Sequence, residues 1–264
     1  MAKMLFVTIS IVFAQLCQVH ALCTFPASPK TTTVQATINV ASNTDYKYTT
    51  FVGASGILNG GCDVKNGKMK YLMVLKNGVT IKNAILDTPG LGIYCEGNCV
   101  LENIYYKRLC YHAVGFGYKS TSTSYTYQVI GGAGQGSPDK YFTQSGRGTT
   151  IIKNFCAEGK YGKVWCSCGN CIDQMPRSVQ ISNTKIQGPG LAIISANSNL
   201  GDKISISGLT LYGQGSPNTL TKYVCQTYNG ITTMATMQPN AKFRPTQAGT
   251  GTCAYSTSAI KIVN

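Results

Sequence analysis

One short pattern recurs along the chain: an apolar residue, a polar residue and then Asn or Gly. It occurs at Ile81-Lys82-Asn83, Leu101-Glu102-Asn103, Ile152-Lys153-Asn154, Ile181-Ser182-Asn183 and Ile206-Ser207-Gly208. The turning residues lie 20, 51, 29 and 25 residues apart, and the gap of 51 has room for one further turn through Val129-Ile130-Gly131. Spacings of this size are typical of the coils of a solenoid.

Around each turn, apolar and polar residues alternate with a period of two, which predicts strands. The chain also contains 29 glycines and almost no helical periodicity. We therefore predict an all-β fold, a single right-handed parallel β-helix, in which inward Ile, Leu and Val side chains stack into a continuous core and Asn side chains form hydrogen-bonded ladders. A β-sandwich is the structural alternative, but sandwiches are not expected to repeat one turn motif.

The first residues have the features of a secretory signal peptide. Lys3 precedes an apolar run over residues 4–16, and Val19-His20-Ala21 fits the small-residue pattern of a cleavage site. The apolar run is shorter than the roughly 20 residues that a membrane span needs. We expect residues 1–21 to be a signal peptide and residues 22–264 to form one secreted, extracellular, monomeric domain without a membrane partner, because no linker or charge block divides them.

The chain is strongly basic, with 23 Lys and Arg against nine Asp and Glu, and a formal charge of +14. Such a charge predicts an acidic partner, although it could also serve solubility alone. The basic residues are scattered singly and form no recognition-helix pattern, which argues against nucleic acid. An acidic polysaccharide fits a secreted protein better.

Eleven cysteines follow residue 21, and an oxidising compartment predicts several disulfides with at least one cysteine left unpaired, modified or bound to another chain. Cys95 with Cys99, and the Cys166, Cys168 and Cys171 group, have spacings that zinc sites also use, but secretion favours disulfides. His112 is the one histidine of residues 22–264. No Gly-x-Ser-x-Gly motif accompanies it, which argues against a serine or cysteine hydrolase.

Residues 91–171 carry four motifs in order: LGIYCEGNC, LENIYYKRLCYHA, SPDK and GKVWCSCGNC. This order resembles the family 3 pectate lyases, which typically show Asp-Gly-Ile-His-Cys, Leu-Glu-Asn-Val-Trp-Trp-Glu-Asp-Val, Glu-Asp-Ala, Ser-Asp-Lys and Gly-Lys-Leu-Tyr-Arg-Ser-Cys-Gly-Asn-Cys. The resemblance implies β-elimination of demethylated polygalacturonate, the pectate of plant cell walls. In that reaction a lysine or arginine of lowered pKa removes the C5 proton, the C4 oxygen leaves, and calcium on the uronate carboxylate stabilises negative charge.

By this resemblance, two lysines are the candidate catalytic residues. Lys140 matches the lysine of Ser-Asp-Lys and is expected to be the proton-abstracting base or its neighbour. Lys163 matches the lysine of Gly-Lys-Leu-Tyr-Arg and is expected to bind the substrate carboxylate or act as the alternative base. The family arginine is replaced by Cys166, which has neither the positive charge nor the paired N–H donors of a guanidinium. Our favoured interpretation is that Cys166 has gained a disulfide partner.

The calcium positions of the family carry no carboxylate in this chain. The expected ligand positions are Leu91, Tyr111 and His112, and calcium prefers several hard oxygen ligands. The resemblance therefore implies calcium as a cofactor, whereas the residues predict that its ligands are lost. Lys107, Arg108 and a protonated His112 are the candidate substrate-binding residues, because cations can neutralise the uronate carboxylate directly.

Two other hypotheses stay open at this point. The chain could be a catalytically inactive lyase relative that binds acidic polysaccharide without cleaving it. It could also be a basic structural or interaction protein, with Tyr105, Tyr106, Tyr125, Tyr127 and Trp165 serving as core residues and not as sugar-stacking rings.

Overall fold

A computed structural model describes residues 21–117 and 124–264 of the protein. Apart from Ala21, the predicted signal peptide lies outside these residues. Short stretches of 3-10 helix occur at Ser198–Leu200, Gly251–Cys253 and Thr257–Ala259, and α1 spans Ser55–Leu58. No helix in the described part of the chain has the length and apolar character needed to cross a membrane.

Eighteen strands account for most of the described residues. They are β1 (Thr31–Val34), β2 (Ile38–Val40), β3 (Thr44–Gly53), β4 (Met73–Leu75), β5 (Val79–Asp87), β6 (Ile93–Cys95), β7 (Cys99–Arg108), β8 (Val114–Phe116), β9 (Tyr125–Ile130), β10 (Ala133–Gln144), β11 (Gly148–Lys153), β12 (Cys156–Ser167), β13 (Arg177–Gln187), β14 (Gly190–Asn197), β15 (Lys203–Tyr212), β16 (Thr221–Tyr228), β17 (Ala241–Phe243) and β18 (Ile260–Val263).

Apart from β17, which pairs antiparallel with β16, the strands pair in parallel with strands of the next coil and form three stacked columns. One column runs through β2, β4, β6, β8 and the ends of β10, β12, β14 and β16. A second joins β1, β3, β5, β7, β10, β12, β13, β15 and β18, and a third joins β3, β5, β7, β9, β11, β13 and β15. This is the predicted right-handed parallel β-helix.

The recurring Asn and Gly positions mark the bends between two of these columns. Asn83, Asn103, Asn154 and Asn183 all have φ between 48° and 58°, a left-handed conformation that Asn tolerates better than most residues. Gly131 and Gly208 occupy the same kind of position with φ of 69° and 77°, so the extra turn inferred inside the 51-residue gap is confirmed. A ladder also forms, because the Asn103 amide donates to Asn83 Oδ1 at 3.4 Å and the Asn83 amide donates to Asp45 Oδ1 at 3.0 Å.

The core runs along the inside of the coils. In the first column, Ile93, Val114, Phe142, Trp165 and Ile194 occupy successive register positions, and each is fully buried. Tyr106 and Tyr127 are also fully buried, so these two rings and Trp165 are core residues and not sugar-stacking surfaces. The continuous apolar stack is what holds the outward-facing side chains of each strand in fixed register.

Five disulfides join ten of the cysteines, which confirms the disulfide interpretation over zinc. The pairs are Cys23–Cys156, Cys62–Cys110, Cys95–Cys99, Cys168–Cys171 and Cys225–Cys253. Cys166 is the free cysteine of the described residues, and it is buried. The expectation that Cys166 had gained a disulfide partner is therefore wrong.

Candidate functional site

Lys140 and Lys163 lie side by side on the outside of the β-helix. They are register partners on β10 and β12, in successive coils, and neighbouring strands of a sheet lie about 4.8 Å apart. The Lys140 side chain is 20% exposed. Parallel stacking therefore brings together two lysines that are 23 residues apart in sequence.

Asp139 bridges Lys140 to His112. One of its carboxylate oxygens, Oδ2, lies 2.5 Å from Lys140 Nζ and 2.9 Å from His112 Nε2. A carboxylate can only accept, so His112 Nε2 carries the proton of this contact. Burial alone would raise the pKa of Asp139, but the hydrogen bond from His112 and the charge of Lys140 hold that pKa well below its usual range. Asp139 is not among the candidate residues identified from the sequence, whereas the structure places it between Lys140 and His112.

This pairing fixes the charge of Lys140. Burial by itself would lower the pKa of the ammonium, but the negative charges that Cys166 and Asp139 carry when ionised, together with the hydrogen bond to Asp139, raise the pKa of Lys140 above its ordinary value. The expectation of a lowered pKa for the catalytic base is wrong for Lys140. In the absence of a ligand, this residue is a fixed cation.

Burial favours the uncharged form of His112. Its side chain is 14% exposed, and burial lowers the pKa of the imidazole even though the hydrogen bond to Asp139 acts in the opposite direction. The ring also stacks on Tyr111, with centroids 3.8 Å apart. This direction argues against the protonated His112 expected to neutralise a uronate carboxylate, and a role of His112 in substrate binding stays a prediction. Instead, the neutral imidazole orients Asp139.

Lys163 has different surroundings. Its Nζ lies 3.9 Å from Cys166 Sγ and 4.6 Å from the centre of the Tyr228 ring, a distance suited to a cation–π contact. Among the described residues, no carboxylate forms an ion pair with it. A ligand can therefore reach the Lys163 amine without first breaking an ion pair. Tyr228 was missed from the sequence because it lies 65 residues away and meets Lys163 only through coil stacking.

Cys166 lies next to Lys163. Its thiol is close to the carbonyl oxygen of Ser167, at 3.2 Å, and the residue is 6% exposed. This is the position at which the family resemblance expects an arginine. In its place the chain has a small buried side chain, which leaves open space beside Lys163.

Two adjoining cavities, of about 280 and 250 Å³, form a groove over these residues. They share Lys140, Cys166, Gly169 and Asn170, and Lys163 and Tyr228 line the first. Leu91, Tyr111 and His112 all line the second. The structure thus brings the three expected calcium positions to one end of the groove, next to Lys140.

The chemistry of these three positions does not fit calcium. Leu91 offers a hydrocarbon, Tyr111 a phenol and His112 an imidazole already bound to Asp139, whereas calcium takes six to eight oxygen ligands and favours carboxylates. Asp139 contacts His112 and Lys140, which line this end of the groove, and both contacts are to nitrogen donors. Within residues 21–117 and 124–264, no group of three or more His, Cys, Asp and Glu side chains forms a metal site.

A buried guanidinium holds the wall of the groove. Arg177 is 1% exposed and donates to the carbonyl oxygen of Ser145 at 2.7 Å and to that of Cys168 at 3.0 Å. The amide of Asn197 donates to the same Cys168 carbonyl at 3.0 Å. These bonds fix the loop closed by the Cys168–Cys171 disulfide, which supplies Gly169 and Asn170 to the groove. Neither Arg177 nor Asn197 was identified from the sequence, since each acts through backbone atoms of another coil.

Lys107 and Arg108 lie elsewhere. Both are exposed at the end of β7, in the second column of strands, and Arg108 pairs with Asp87 at 2.9 Å. Lys107 lines a separate cavity with Phe25 and Gln135. The structure does not bring these two residues into the groove with Lys140 and Lys163, and their role in substrate binding stays a prediction.

The sequence profile described as "Pectate lyase" matches residues 22–235 of this chain. Among curated proteins, pectate lyase E of Emericella nidulans is 34% identical over 167 residues, which cover 63% of this chain and 61% of that protein, less than two thirds of its length. Probable pectate lyase D of Neosartorya fischeri is 33% identical over 218 residues, covering 80% of this chain and 83% of the relative.

Solved structures of pectate lyases also resemble this chain. The catalytic domain of pectate lyase PelI from Erwinia chrysanthemi superposes with a TM-score of 0.71 at 26% identity, covering 88% of this chain and 100% of that domain. PelI has also been solved in complex with tetragalacturonic acid, and that structure superposes with a TM-score of 0.69 at 26% identity, covering 88% of this chain and 70% of that chain.

Proposed function

The chain belongs to the pectate lyase family, and we propose that it is a secreted, monomeric enzyme that cleaves demethylated polygalacturonate of the plant cell wall by β-elimination. The observation that carries this proposal is the pair of stacked lysines, Lys140 and Lys163, in an open groove. Residues 1–21 serve as the signal peptide, and the acidic polysaccharide is the partner that the charge of +14 favours.

The two lysines take different roles in this proposal. Lys140, which Asp139 keeps cationic, binds the carboxylate of the uronate whose C5 proton is removed and stabilises the negative charge that develops there. Lys163 has no carboxylate partner among the described residues, and its unprotonated amine takes the C5 proton and becomes an ammonium. The electron pair of the C5–H bond forms the C4–C5 double bond, the C4–O bond breaks, and the departing oxygen takes a proton from solvent.

Calcium is implied by the family, but the side chains of Leu91, Tyr111 and His112 do not fit it. Lys140 can supply the positive charge that the metal would carry, because it lies in the same cavity as all three positions. Asp139 and His112 act as positioning residues, since one holds Lys140 and the other holds Asp139.

The test is product formation by the purified protein. β-Elimination leaves an unsaturated uronide that absorbs ultraviolet light, whereas hydrolysis does not. The expected result is a rise in absorbance with polygalacturonate and little or none with a fully methylated polymer, whose neutral esters cannot pair with Lys140. Binding of polygalacturonate without a rise in absorbance would instead establish the inactive, polysaccharide-binding alternative. If the protein did not bind polygalacturonate at low salt, both the lyase proposal and the inactive, polysaccharide-binding alternative would be contradicted.

A further inference from the structure

Glu158 holds the backbone of the first residues that follow the predicted signal peptide. Its Oε2 accepts from the backbone nitrogen of Leu22 at 2.7 Å and from that of Cys23 at 3.2 Å. Glu158 is partly buried on β12, and no Lys, Arg or His among the described residues forms an ion pair with it. A carboxylate with this burial would gain from a cationic partner.

Cleavage of the chain would create that cation. Hydrolysis of the Ala21–Leu22 bond by an endopeptidase consumes one water and leaves a carboxylate on Ala21 and an α-amine on Leu22. That amine is an ammonium below about pH 8. Val19-His20-Ala21 has the small-residue pattern of such a cleavage site, and Ala21 is exposed. The atom that would become charged is the same nitrogen that already lies 2.7 Å from Glu158.

The neighbouring disulfide holds this nitrogen in place. Cys23 is bonded to Cys156 with a Cα–Cα distance of 5.6 Å, and Cys156 precedes Glu158 by two residues on β12, so the two side chains leave the same face of the strand. Leu22 therefore cannot move far from Glu158 while the disulfide is intact. A charge-assisted hydrogen bond would replace a neutral one with no change in the position of the backbone.

We propose that Glu158 is the binding site for the processed N-terminus of this protein, and that cleavage after Ala21 generates a stabilising ion pair between the Leu22 α-ammonium and Glu158. The proposal rests on the export of the chain and not on its lyase activity, so a catalytically inactive protein would still show it. β12 also carries Lys163, so the same pair would fasten the strand that forms the groove.

The experiment uses forms of the whole chain with defined N-termini. One form begins with Leu22 bearing a free amine, and a second begins with Nα-acetylated Leu22, which keeps the N–H donor but removes the charge. Each is made with Glu158 and with Glu158→Gln, a change that keeps an acceptor and removes the carboxylate charge. Melting temperatures are measured from pH 6 to pH 10, and N-terminal sequencing of the secreted protein identifies its first residue.

We expect sequencing to give Leu22 and the free-amine form with Glu158 to melt about 2–4 °C above its acetylated counterpart at pH 6 to 7, a shift in the range of one favourable ion pair in a chain of this size. The pair raises the folded-state pKa of the amine above its unfolded value near 8. The gain is therefore complete below pH 8 and lost as the pH rises through the folded-state value. With Glu158→Gln, acetylation should have no such effect.

Equal melting temperatures for the free and acetylated forms below pH 8 would overturn the proposal, and so would a first residue other than Leu22. A gain that persists with Glu158→Gln would also contradict it, because the amine would then be stabilised by another group. If Glu158→Gln fails to fold, the two forms with Glu158 still decide the question through their pH profiles.

Discussion

Lys140 and Lys163 occupy the same register position on successive coils. Within the part of the chain that the structure describes, Lys140 forms an ion pair with a carboxylate and Lys163 does not. This asymmetry separates the two amines chemically. One is a cation held by Asp139, and the other contacts a thiol and an aromatic ring. A reaction that needs a positive charge on a carboxylate and a base for a neighbouring proton can use both.

We predict that Lys163→Ala and Lys140→Ala each lower the rate of unsaturated product formation by roughly 10²-fold or more, the range expected for loss of a proton-transfer or charge-stabilising group. The matched control is Lys153→Ala, which removes an exposed lysine at the end of β11. Absorbance assays of the three purified variants check this prediction. A rate close to wild type in either groove variant, with Lys153→Ala also normal, would remove that lysine from the mechanism.

The neutral His112 makes stability depend on pH. Because burial lowers its folded-state pKa below the unfolded value, the imidazole favours the folded state above about pH 6.5, and this contribution is lost as the pH falls below that value. His112→Gln keeps an amide donor for Asp139 but cannot be protonated. We expect the melting temperature of wild type to fall more steeply between pH 7 and pH 5 than that of His112→Gln. Parallel curves would show that His112 does not titrate as described.

Arg177 is predicted to be needed for folding and not for chemistry. Removing its guanidinium leaves the carbonyl oxygen of Ser145 without this donor and that of Cys168 with only the Asn197 amide. It also removes the positive charge near Asp202, which accepts from the Arg177 backbone nitrogen. Arg177→Ala should lower the free energy of unfolding by roughly 3–5 kcal/mol. The control, Arg244→Ala, changes an exposed arginine and should cost less than about 0.5 kcal/mol. Denaturant titrations measure the free energy of unfolding of both variants. A loss for Arg177→Ala as small as the loss for Arg244→Ala would contradict the prediction.

Cys166 should be a single protected thiol. A thiol reagent added to the protein in denaturant, with disulfides intact, is expected to modify about one cysteine in a chain that begins after residue 21, because the other ten are paired. In the native protein the same reagent should react far more slowly, since Cys166 is 6% exposed. Fast native labelling would show that the groove opens further than the structure indicates, and no labelling in denaturant would show a disulfide or modification at Cys166.

The repeating part of the fold was predictable from the sequence, and the local geometry of the site was not. Asn83, Asn103 and Asn183 mark bends because a left-handed conformation requires particular residue types at regular spacing, which a sequence displays directly. Lys140 and Lys163 could be found because motifs surround them. Tyr228, Arg177 and the Asp139–His112 contact depend on which coils stack together and on side-chain orientation, and no local pattern reveals these. The lone thiol of Cys166 was misjudged because an odd cysteine count does not say which cysteine is unpaired.

The central claim is that Lys140 takes the place of calcium as the positive charge at a site whose side chains do not fit that metal. The most direct test is the release of ultraviolet-absorbing product from polygalacturonate by the purified protein, measured with added calcium and with excess chelator in matched buffers of equal ionic strength. We predict activity at similar rates under both conditions, and its loss in Lys140→Ala under both. Activity that requires calcium and disappears with chelator would contradict the claim.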